Sequence, residues 1–348
     1  MDTPEHIPDH PTDATGTTDP GEEGPLTLRA RTPEDLLAMV PVMLGFEPEE
    51  SVTMLTFGPG RPFHARLDLP REPDHVPEVA DALLAPALEH DAGRVVLVLH
   101  ARDPEPAETV ALVLQETFDA AGVDVLEAVR ADGSRWYPLH RWGPACPEGV
   151  AYDVSSHPFL AAAVLQGRVV FGSRAELAAS LSAVPERVEA VRRELGALAD
   201  LAPSPDREAG LAALVDRAAT RRGTPEPGEV ARLLAGLCDP RLRDAVLRAA
   251  DAGQPLAQVR LWSQVVTATP PERLPWAAAL LAYVSWQSGN GALAWCALDL
   301  VEQDADGPSL AVLVRAALEQ AVPPSALRGR STRRRRTGDA CRHLGDSA

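Results

Sequence analysis

His64, Arg66 and Asp68 alternate with Ala65 and Leu67 in the segment PFHARLDL, and a strand repeat of two sends all three polar side chains to one face. Two charges on one face of an otherwise apolar strand need partners. Either Arg66 and Asp68 pair structurally, with each other or with neighbours, or they line an anion pocket with Arg66 as its bidentate arm. Both readings stand at the level of sequence. His64 on the same face adds a group able to act as acid or base. If the pair is buried, Arg66→Ala is expected to destabilise by about 2–4 kcal/mol, because the remaining carboxylate loses its partner. Ser51 follows Gly45-Phe46-Glu47-Pro48 at the start of the neighbouring strand. The packing reading makes Gly45 a left-handed helix stop, with Phe46 beneath it and Pro48 and Ser51 shaping the strand. The functional reading makes Ser51 a polar contact in a pocket wall. Asp153 is a further acid that could reach a cleft built around Arg66 and Asp68.

Other chemistry is thinly represented. All 33 basic residues are arginine, the mark of a GC-rich genome, so Schiff-base, P-loop and kinase-type phosphate lysines are excluded. There is no G-x-S-x-G and no H-E-x-x-H. Ser155-Ser156-His157-Pro158 places serine beside histidine, but adjacent side chains rarely face each other, and a helix cap is the better reading. Gly289-Asn290-Gly291 lacks the preceding strand and the lysine of phosphate-binding loops, which leaves a tight turn between helices. The four cysteines are scattered without a C-x-x-C pair, which fits a reducing cytoplasm better than a disulfide framework.

The elements that position these residues follow from periodicity and punctuation. LTLRA, from Leu26, reads as a short strand. Thr32-Pro33-Glu34-Asp35 reads as a helix start, with Thr32 as cap and Asp35 as a reciprocal partner one residue short of the usual box. That helix runs to Gly45. Strands are predicted at 51–57 and 62–69, joined by Gly58-Pro59-Gly60, then a helix at 76–89. A nearly all-apolar strand at 94–101 has the pattern of a sheet buried on both faces. A helix at 107–121 and strands at 123–131 and 135–139 follow, the last two bracketing the hairpin signal Asp132-Gly133. The sum is β-α-ββ-α-β-α-ββ. From about Ser155 the strands fade, apart from Val169–Phe171. A helix at 156–166 is capped at Ser155 or Ser156, and Ser173 and Glu176 form a capping box. Roughly eight helices separated by Pro and Gly then run to Gln320. Pro275–Ser288 and Ala292–Gln303 resemble one tetratricopeptide-type hairpin.

The fold class predicted is therefore an α/β domain at 26–155, a mixed sheet with flanking helices, followed by an all-α domain at 156–322. Disordered segments are expected at 1–25 and 323–348. The first 25 residues carry seven acids and no Lys or Arg, whereas the last 24 carry seven arginines against two aspartates, a net of +5 in a chain of −17. Arg333, Arg334, Arg335 and Arg336 read as a solvated tail or as an electrostatic foot on nucleic acid or an acidic partner. The acidic remainder restricts nucleic-acid contact to weak, non-specific binding. No secretory signal and no membrane span is expected.

Several segments together resemble the domain of unknown function 4192 family of actinobacteria: LLAMVPVMLGFEPEESV, HARLDLP, RWYPL with CPEGV, LQGRVVFGSRAELAASL, and LLAYVSWQSGNGALAWCALDLV with VPPSALR. The resemblance covers about residues 26–328 and implies this layout and a GC-rich bacterial source. It implies no activity. One departure concerns thiols. Where the family commonly has a cysteine and then Cys-Cys-Pro, this chain has His140 and Ala145-Cys146, a poor metal site unless Cys238, Cys296 or another histidine joins. No metal or cofactor is expected. Two function classes remain. One is a non-enzymatic cytoplasmic binding or regulatory protein, with a protein partner at the helical domain. The other is an enzyme of undescribed type with a cleft between the domains around Arg66 and Asp68.

Overall fold

A computed structural model of the chain describes residues 28–57, 63–139, 146–199, 206–221, 223–301 and 308–324. The acidic segment 1–25, the Gly58–Gly60 turn, His140, the tail from 325 and its Arg333–Arg336 run lie outside the described residues. The first half contains α1 (Pro33–Leu44), β1 (Ser51–Phe57), β2 (His64–Asp68), α2 (Val76–Glu89), β3 (Arg94–His100), α3 (Pro104–Ala120), β4 (Asp124–Ala131), β5 (Arg135–Pro138) and β6 (Val150–Ala151). The strands form one mixed sheet in the order β2-β1-β3-β4-β5-β6, with β3 and β4 parallel and every other pair antiparallel. The parallel pair is joined through α3, as a parallel connection requires. The apolar run of β3 occupies an interior position, with Val95–Leu99 buried.

Local chemistry sets the boundaries. Thr32 Oγ1 accepts the Asp35 N–H at 3.2 Å, and Asp35 Oδ2 accepts the Thr32 and Arg31 N–H groups at 3.0 and 2.7 Å. Asp35 thus sits at the third helical position and closes a full capping box, not one residue short of it. The same bonds explain why Leu28–Ala30 is not a strand: the chain is turning into the helix, and the Arg31 N–H is committed to a carboxylate. Gly45 ends α1 at φ 80°, where its N–H reaches Pro41 O.

After Ala151 no further strand of the sheet occurs among the described residues; Phe46 and Phe171 make an isolated parallel bridge. Ten helices follow among the described residues: α4 (Pro158–Leu165), α5 (Arg174–Ala179), α6 (Pro185–Ala199), α7 (Arg207–Thr220), α8 (Pro227–Cys238), α9 (Pro240–Ala252), α10 (Pro255–Val266), α11 (Leu274–Gln287), α12 (Gly291–Leu298) and α13 (Ser309–Glu319). Proline occupies the first position of five of them (α4, α6, α8, α9 and α10), where its missing N–H costs nothing. Three local expectations are corrected. His157, not Ser155 or Ser156, caps α4, its ring nitrogen accepting the Phe159 N–H. Ser173 caps α5, but the Glu176 carboxylate turns back to Gly172 N–H, one residue before the cap. The helix α12 stops at Leu298 rather than Gln303.

Each face of the sheet has its own cover. Val52, Met54, Val95, Leu97, Leu99 and Ala128 point towards α2 and α3 and pack on Leu83, Leu114 and Phe118. Leu55, Val96, Val98, Val129 and Ala131 point the other way. They join α1 and the helices of the second half in one continuous apolar cluster that reaches Trp262 and Leu280.

Candidate functional site

Register places the candidate residues. β1 pairs Ser51 with Asp68, Thr53 with Arg66 and Leu55 with His64 on one side, and Ser51 with His100 and Thr53 with Val98 on the other. Directly opposed residues of an antiparallel pair share a face. Ser51, Thr53, His64, Arg66, Asp68 and His100 therefore form a polar strip at the β2 end of the face that α1 and the helical half cover. Ser51 and Thr53 are 0% and 1% exposed. The hydroxyls of both, Arg66 Nε and His100 Nδ1 are buried with no hydrogen-bond partner. Thr56 on the opposite face shows how such a group is normally satisfied, since its hydroxyl bonds both the N–H and the carbonyl of Phe63. A buried polar group without a partner costs about 1–3 kcal/mol, and four neighbouring ones demand a reason.

The Arg66–Asp68 pair is lopsided. Arg66 Nη1 lies 2.6 Å from Asp68 Oδ1, but the side chains are 16% and 80% exposed. Arg66 also donates from Nη2 to the Glu49 carbonyl at 3.2 Å and lies over the Phe46 ring at 5.7 Å. The carboxylate is on the outside, so removing its partner strands nothing. Asp68→Asn is expected to change stability by less than about 1 kcal/mol. Arg66→Ala should cost about 1–2 kcal/mol through its packing and its carbonyl contact, below the range for a buried pair. Urea denaturation of both variants measures this asymmetry, and equal losses would count against it.

Burial governs the titration of the strip. It pushes the His64 imidazole down to about 4. It does the same to His100, again to about 4, with the Arg66 charge adding to it. Both rings are therefore neutral at pH 7. Burial also lowers Arg66 and Arg168, though a guanidinium stays charged in a protein. At the His64 end the strip meets a partly open cleft of about 150 Å³, bordered by Val42, Met43, His64, Arg168, Ser288 and Gly289. Arg168 Nε is buried and unpartnered.

Asp153 is not part of this arrangement. It lies before α4 and accepts the Ser155 N–H at 2.9 Å, which holds its carboxyl below the usual range. The Gly289-Asn290-Gly291 turn reaches the cleft rim, but its first two N–H groups bond Trp286 O and Ser285 O, and Asn290 Oδ1 caps α12 by accepting the Leu293 N–H. His157 donates from Nε2 to Asp35 at 3.1 Å while its other nitrogen accepts, so it ties α4 to α1 and activates no serine. Sequence reasoning missed Thr53, His100 and Arg168. Thr53 has the same parity as Ser51, which was a usable signal. His100 ends an apolar run, and Arg168 stands about 100 residues away from its neighbours in the strip.

Among the described residues, no group of three or more His, Cys, Asp or Glu side chains could hold a metal ion, and no helix is long and apolar enough to cross a membrane. A family model described as Domain of unknown function (DUF4192) matches residues 33–325. No curated protein and no solved structure matches the chain.

Proposed function

We propose, for a chain that belongs to the domain of unknown function 4192 family, a non-enzymatic binding or regulatory role in which a small ligand is held at the seam between sheet and helical half. One observation carries the reading: Ser51, Thr53, Arg66 and His100 present four buried, unpartnered polar atoms on adjacent positions of one sheet face. The strip reaches a cleft through His64, which lines it with Arg168, and polar groups beside a cleft are the usual mark of a ligand site. The non-enzymatic half of the reading is part of the proposal and rests on the sequence, which carries neither G-x-S-x-G nor H-E-x-x-H. A cytoplasmic setting in a GC-rich actinobacterium is part of the proposal, supported by the arginine-only basic set and the free thiols of Cys146, Cys238 and Cys296. So is a protein partner at the helical half, where Val312 and Leu313 of α13 are exposed.

A thermal-shift screen of the full chain against chemically diverse small molecules tests the ligand. A compound at 100 times its Kd should stabilise by about 2.7 kcal/mol and raise Tm by several degrees. Thr53→Val replaces an unpartnered hydroxyl with a methyl group, so the ligand-free protein should be as stable as wild type or more so. The same variant should lose the ligand-induced shift. Turnover of a bound compound would assign the protein to enzymes instead, and a shift indifferent to Thr53→Val would place the ligand elsewhere.

A further inference from the structure

Resting on that reading, we infer that the ligand is a compact oxyanion, a phosphate or a short carboxylate, whose charged end is held in the cleft by Arg168 beside His64. Three observations lead there. First, Arg168 lines the cleft beside His64, and its guanidinium is a pure donor whose Nε has no acceptor in the protein. Second, the charge at the cleft is unbalanced. Asp68 offsets Arg66 from the solvent side and Asp299 pairs with Arg174, but no carboxylate among the described residues pairs with Arg168. Arg168 thus brings a positive charge to the cleft that no described carboxylate offsets. Third, the space is small. A partly open cleft of about 150 Å³ has room for a tetrahedral anion or the charged end of a short acid. Neutral His64 can donate one ring N–H to the same anion. The hydroxyls of Ser51 and Thr53 lie further along the strip, where a donor or an acceptor suits them equally.

The test is calorimetry and thermal shift on the full chain at pH 7 and constant ionic strength. The probes are inorganic phosphate, acetate and succinate, with chloride as the ionic control and glycerol and acetamide as neutral probes. Phosphate or a carboxylate should bind saturably and raise Tm beyond chloride; which of the two does so identifies the source of the oxyanion. Arg168→Gln should weaken that binding by at least about tenfold while moving the ligand-free Tm little. Arg168→Lys should retain part of it, because the point charge survives and the fork does not. Anion binding that is unchanged in Arg168→Gln would overturn the assignment, as would the absence of any shift beyond chloride. A neutral probe that binds, and is lost in Thr53→Val, would overturn the anion while leaving the ligand site standing. Failure of every probe here and in the broader screen would remove both.

Discussion

Acidification from pH 7 to pH 5 is expected to cost the folded protein about 4 kcal/mol, with His64 and His100 as the cause. Both imidazoles are held at about 4 in the folded state against an ordinary 6.5. Between those values the unfolded chain takes up two protons that the folded chain refuses. Their contribution is complete above pH 6.5 and is lost as the pH falls towards 4. At pH 5 each ring accounts for about 2 kcal/mol. The window is separate from that of the low carboxyls. Asp35 and Asp132 are depressed by their hydrogen bonds, Asp132 to about 2, and their contribution is lost only below the ordinary carboxylate range. Glu47, raised by burial, works in the opposite direction. Urea midpoints from pH 7 to 5 at constant ionic strength measure the effect, and His64→Gln with His100→Asn should flatten the curve. A wild-type curve already flat across this window would mean that both rings are hydrated and titrate normally.

Trp262→Ala should destabilise by about 3–5 kcal/mol, the range for deleting a large aromatic from a packed core. Trp262 is 0% exposed in α10. Its indole N–H donates to Gln258 Oε1 at 3.1 Å, and Gln258 Nε2 is already unpartnered and buried. Truncation therefore opens a cavity and strands the rest of a buried amide. The loss should reach the sheet. The apolar cluster that contains Trp262 continues to Val96, Val98 and Val129, so both halves are expected to unfold in one transition. Coincident far-ultraviolet and near-ultraviolet circular dichroism curves would support this. A loss below about 1 kcal/mol, or a sheet that survives the helical half, would break the argument.

Much of the fold was legible in sequence because the signals are local. Thr32-Pro33 starts α1, Gly45 stops it and Asp132-Gly133 turns β4 into β5, since each depends on bonds within a few residues. The apolar run at 94–100 announced a strand covered on both faces, because only such a strand dispenses with alternation. Errors came where local rules had near-equivalent options. His157 caps α4 although two serines precede it, because its ring also reaches Asp35 of α1, 122 residues away in sequence.

The site divides along the same line. Alternation alone put His64, Arg66 and Asp68 on one face, and the absence of lysine alone removed whole classes of chemistry. What alternation cannot state is which strands become neighbours, which face is covered, and how deeply. Strand pairing brought Ser51, Thr53 and His100 beside Arg66, put Asp68 in solvent and left Asp153 in a turn of its own. Arg168 joined from a loop about 100 residues further on. Composition and period thus determined the residue types available and the face they share, because both follow from covalent order and backbone geometry. Which polar atoms were left buried without partners was decided only when the helical half closed over the sheet, since desolvation depends on everything packed around a group and not on its place in the chain.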